Sequence, residues 1–73
     1  MKEARFFYNG KTHCNEVSLL PELDGGERLW RVSEIGYLIP KASYPDTDEG
    51  YTKARADYER RVARRMTESE AHQ

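Results

Sequence analysis

Five arginines in thirteen residues, Arg55, Arg60, Arg61, Arg64 and Arg65 within "ARADYERRVARRM", carry most of the chemistry this chain can offer. A guanidinium recognises carboxylates and phosphates through a planar fork of donors and also stacks on aromatic rings. Two other residue types could act. His13 beside Cys14 has the donor atoms of a zinc site, but adjacent positions of a strand point to opposite faces, and the remaining histidine is His72. No metal site is expected. His13, Glu34, a tyrosine and an arginine would suffice for nuclease-like acid–base work, yet their spacing gives no reason for them to converge, so no enzyme and no cofactor are expected.

The arginines belong to one element. Between Lys53 and Arg65 the chain has six basic and two acidic residues, whereas Asp46, Asp48 and Glu49 just before them are purely acidic and the whole chain has a net charge of -1. At 100° per residue Tyr51, Ala54, Tyr58, Val62 and Met66 form an apolar stripe, which predicts a helix docked on a sheet. Asp46 followed by Glu49 has capping-box spacing for its start, with Thr52 a later alternative because Gly50 weakens the first turn. The regular part is expected to end near Met66, with 67–73 a flexible tail.

On this helix Lys53, Arg60, Arg61 and Arg64 share a flank, with Asp57 among them. A helix laid along phosphates gains from each cation by counterion release, and a central carboxylate opposes that gain. The reading is therefore a solvated or protein-facing flank, with nucleic-acid binding by the same helix as the alternative. Arg60, Arg61 and Arg64 are the candidate charged contacts to a partner. Phe7 and Trp30 are candidate apolar contacts if exposed, with core duty the stronger expectation for Trp30.

The rest of the chain must build the platform. In "EARFFYNGKTHCNEV" the Asn9-Gly10 pair predicts a two-residue hairpin turn, placing Tyr8 opposite Lys11, Phe6 opposite His13 and Ala4 opposite Asn15. Phe6 and Tyr8 then share one face and Phe7 the other. "SLLPELDGGERLW" reads as a turn or mobile loop around Asp24-Gly25-Gly26, followed by a strand with Trp30 and Val32 on one face. "EIGYLIP" suits a buried strand or an irregular segment, and "KASYPDTDEG" reads as loop with Tyr44 extended before Pro45.

These elements make an α+β domain over 1–66, with a small antiparallel sheet of three or four strands and one C-terminal helix across it. Seventy-three residues allow one small core, for which eight aromatics compensate a hydrophobic fraction of 37%. A single cysteine excludes an internal disulfide and fits a reducing cytoplasm, and no run approaches a membrane span or signal peptide. A soluble, cytoplasmic monomer is expected.

With its aromatic hairpin "RFFYNGKTH" and terminal helix "ARADYERRVARRM", the chain resembles the very small, RNA-polymerase-binding transcription regulators of Xanthomonas-infecting phage. The resemblance implies contact with the two large subunits of host RNA polymerase and displacement of the promoter-specificity factor, so that initiation is inhibited. It also implies read-through of terminators later in infection, with the arginine flank facing acidic protein or nascent RNA.

Overall fold

The computed structural model describes residues 2–9, 14–35 and 41–71. Strands β1 (Ala4–Asn9), β2 (Cys14–Asp24), β3 (Glu27–Ile35) and β4 (Ala42–Pro45) form one antiparallel sheet in the order β1-β2-β3-β4, and helix α1 (Asp48–Ala71) packs across it. The architecture is α+β, as the residue pattern predicts.

Side chains alternate along each strand, so one face carries Phe6, Tyr8, Val17, Leu19, Trp30, Val32 and Tyr44 toward the helix. Val17, Leu19 and Val32 are completely buried, each worth roughly 1.5–3 kcal/mol of hydrophobic stabilisation. Aromatics close the edges of this small core: Phe6 stacks on Tyr8 at 5.8 Å, and Trp30 meets Tyr51 edge-on at 5.1 Å. Tyr51 also donates to the Lys2 carbonyl, tying the start of β1 to the helix.

Four expectations need correction. β1 and β2 pair as Ala4↔Leu19, Phe6↔Val17 and Tyr8↔Asn15, with Asn9↔Cys14 as the last pair, so the connection is longer than two residues. That register puts Val17 opposite Phe6 and Leu19 opposite Ala4, where a two-residue turn would have placed the polar His13 and Asn15. The segment 36–40, with most of "EIGYLIP", lies outside the described residues, as does His13.

The second is a matter of extent: the turn expected around Asp24-Gly25-Gly26 forms, but it is confined to the two glycines, and Asp24 is still strand. β2 runs through Pro21 to Asp24, and Gly25 and Gly26 take φ of 60° and 87° in a two-residue hairpin turn of the type I′ kind. Pro21 is tolerated because β1 has already ended, its last partner on that side being Leu19, so no ladder donor is needed there. Third, Ala42–Pro45 is not loop but the edge strand β4, with Tyr44 paired to Trp30.

Fourth, the helix begins one residue later than Asp46 as cap and ends beyond Met66. Thr47 is the cap: its Oγ1 accepts from the Gly50 amide at 2.9 Å, and its carbonyl accepts from Tyr51 at 2.8 Å. Gly50 occupies the third helical position because a Cβ there would overlap the Pro45 carbonyl. Asp46 instead accepts from Trp30 Nε1 at 3.1 Å. The helix continues through Thr67, whose hydroxyl donates to the Ala63 carbonyl, to Ala71.

Candidate functional site

The apolar stripe the sequence suggests is present over Tyr51, Ala54, Tyr58 and Val62, which pack on the core, but it does not account for the whole buried face of α1. Ala54 and Tyr58 lie in the core, but Met66 is 48% exposed, and Asp57, Arg61 and Arg65 take buried positions instead. Positions 54, 57, 58, 61 and 65 recur at helical spacing, so the face is continuous; it is charged over its second half.

The cause is Glu34. At the end of β3 its side chain projects from the core face, fully enclosed, with Arg65 Nε 2.8 Å from Oε1 and an Arg61 terminal nitrogen 3.2 Å from Oε2. Arg61 Nε also donates to Asp57 Oδ1 at 2.9 Å, and the Tyr44 hydroxyl donates to Asp57 Oδ2 at 2.6 Å. A chain of contacts thus runs from β4 through the helix to β3. Two carboxylates face two guanidiniums, so the cluster balances in charge, which a dry interior requires.

The electrostatics follow from these contacts. Burial pushes the Asp57 carboxyl up, but hydrogen bonds from Arg61 and Tyr44 and the charges of Arg61 and Arg60 outweigh it and hold it below the usual carboxylate range. The same hydrogen bond raises the Tyr44 phenol, aided by burial and the Asp57 charge.

A glutamate, a tyrosine and arginines therefore do converge, contrary to what their spacing suggests. Their oxygens are spent on internal donors, and the Glu34 side chain has no exposed surface from which to meet a substrate. The arrangement is suited to holding the helix in register on the sheet. Among the described residues no three His, Cys, Asp or Glu side chains gather as a metal-holding group, and no helix is long and apolar enough to cross a membrane.

The candidate partner contacts divide sharply. Arg61 and Trp30 are buried and committed to internal partners, Arg61 to Asp57 and Glu34 and Trp30 to Asp46 and Tyr51. Neither reaches a partner in this fold, because a concealed carboxylate claims the first and the small core needs the area of the second. Arg60 and Arg64 are exposed and carry no ion pair among the described residues, and Phe7 is 59% exposed on the open face of the sheet. Asp57 does not interrupt the outer cations; it points inward. What limits the outer flank is that Arg61 and Arg65 have left it.

Elsewhere charges pair locally. Arg55 bonds Glu59 at 2.9 Å and lies over the Tyr58 ring, Lys53 meets Glu49 at 3.4 Å, and on the open face Arg5 meets Glu16 and Arg31 meets Glu22. A further exposed apolar residue that sequence reading did not single out is Leu23, at 70%. Compared with protein-family models, curated proteins and solved structures, the chain matches none.

Proposed function

We propose that this chain is a protein-binding regulator of bacterial transcription, acting on host RNA polymerase to inhibit initiation by displacing the specificity factor and to favour read-through of terminators. The observation that carries the protein-binding part is the division of the helix's arginines. Arg61 and Arg65 are internal, leaving Arg60 and Arg64 as exposed cations of the helix with no ion pair among the described residues. Two phosphate contacts correspond to a salt slope of only about -2 on a log–log plot, far short of a dedicated polyanion binder. Exposed arginines, and separately the exposed aromatic Phe7 on the open face of the sheet, suit protein interfaces, where guanidinium groups and aromatics are enriched. The polymerase as target is supported by the resemblance of the hairpin and helix sequences.

The test is titration of the labelled protein against purified bacterial RNA polymerase, core and holoenzyme, beside salt titrations with naked DNA and RNA. Binding to core, loss of the specificity factor on titration and at least tenfold weakening in a folded Arg60→Glu/Arg64→Glu variant are expected. Tight, steeply salt-dependent binding to nucleic acid without polymerase capture would favour the nucleic-acid reading of the same helix.

A further inference from the structure

The open sheet has two edges, and only one of them is guarded. β4 is four residues long, follows Lys41 and ends on Pro45, and short length, lysine and proline are the devices that keep an edge strand from pairing further. β1, "ARFFYN", is six residues long, holds no proline, lysine or carboxylate, and keeps unbroken register with β2 from Ala4 to Asn9, with no bulge to twist it away. Among the described residues no strand pairs with its outer side, so a row of backbone donors and acceptors faces outward there.

The charges around this edge cancel, so they select neither an acidic nor a basic partner. Arg5 meets Glu16 on the open face, and Lys2 and Glu3 lead into the strand side by side. On the other face the helix ridge Tyr51, Arg55, Tyr58, Val62 and Met66 is tied to β1 by the Tyr51 bond to the Lys2 carbonyl, and its single cation, Arg55, is paired with Glu59. What the strand fits is itself. Antiparallel pairing of two copies about a twofold axis through Phe6 keeps both helices on one side of a continuous sheet and sets Phe6 against Phe6, the small Ala4 against the large Tyr8, and Arg5 against Phe7 twice. Arg5 and Phe7 are each more than half exposed on the open face, so each guanidinium gains a ring to lie on and each ring is covered. An axis through Phe7 would instead oppose the two large residues Phe6 and Tyr8 on the helix face and move Arg5 off the ring.

We propose that β1 is the interface of a symmetric homodimer, the two β1 strands pairing edge to edge with Phe6 on the axis, rather than the surface of the monomer expected from the sequence. Main-chain hydrogen bonds between the strands provide the affinity, and the alternating side chains fix the register. Such a dimer stands whether or not the chain acts on polymerase.

Sedimentation equilibrium of the full chain, from micromolar to near-millimolar concentration, should show a monomer–dimer equilibrium, and amide exchange within residues 4–8 should slow as the concentration rises. Phe7→Arg sets cation against cation at both crossings and should weaken the dimer at least tenfold. Arg5→Phe/Phe7→Arg exchanges the two side chains, restores an arginine against a ring at each crossing and keeps a cation opposite Glu16, so it should dimerise within about threefold of the parent chain. Both positions are exposed, and circular dichroism checks that each variant folds. A monomer at every concentration, protection that grows outside β1 instead, or equal weakening by Phe7→Arg and by the exchange would overturn the proposal. So would β1 amides that gain protection only when core RNA polymerase is added, which would give the edge to that partner. Failure of the polymerase titration with dimerisation intact would remove the transcription reading alone.

Discussion

Glu34 and Arg65 are 31 residues apart in the chain and 2.8 Å apart in the fold, both buried, with Arg61 on the other oxygen of the same carboxylate. This pairing anchors the second half of the helix to β3 and removes two arginines from the surface. Its consequences are measurable in the isolated protein.

Glu34→Ala should destabilise by about 3–5 kcal/mol, because a buried ion pair broken from one side strands its partner's charge away from water. Urea unfolding followed by circular dichroism measures the loss. Replacing Glu34, Arg61 and Arg65 together by apolar residues of similar volume should cost less than Glu34→Ala alone. A triple variant as unstable as the single one would mean that the cluster contributes net favourable energy rather than internal compensation.

Acid should loosen the helix from β4 through Asp57. Its carboxyl is held below the ordinary range in the fold, so its contribution is present above the unfolded-state value and disappears as pH falls through the lower folded value. Tyr44→Phe removes one of the hydrogen bonds responsible and should move the Asp57 titration upward, closer to that of a free aspartate. Carboxyl chemical shifts across a pH series read this directly; an unmoved titration would show that Arg61 alone sets it.

Gly50→Ala should destabilise the protein although alanine is the better helix former by about 1 kcal/mol. The added methyl meets the Pro45 backbone carbonyl, so either β4 or the first helical turn must move. Thermal unfolding decides: a raised midpoint would mean that β4 yields at no cost.

Trp30→Phe should weaken the joint between β3 and the helix start, since it removes the indole donor to Asp46 while keeping most of the apolar contact with Tyr51. A loss of about 1–2 kcal/mol is expected from the unmade hydrogen bond and reduced area. Trp30→Phe/Asp46→Ala, compared with both single variants, should give a coupling energy clearly above zero in a double-mutant cycle.

Much of the fold is legible in local patterns. Alternation in "RLWRV" places Trp30 and Val32 on one face, the Asp24-Gly25-Gly26 run marks a turn, and the periodicity after Thr47 marks a helix. Those signals are local because backbone torsions and the two periods, 2 and 3.6, depend on neighbours in sequence. Strand limits were harder to read. Pro21 signals a break unless one knows that β1 has already stopped, and Ala42–Pro45 is too short to show a period.

The fate of the arginines could not be read locally at all. Arg60, Arg61, Arg64 and Arg65 are chemically identical along the chain, and an apolar stripe through Val62 and Met66 is the natural reading of their helix. Composition and spacing settle that the C-terminal element is a helix dense in guanidinium groups over a small aromatic-rich sheet. Which of those groups face inward depends on Glu34 coming to the helix from β3, a contact between distant segments that exists once the sheet is assembled and its charge must be neutralised away from water.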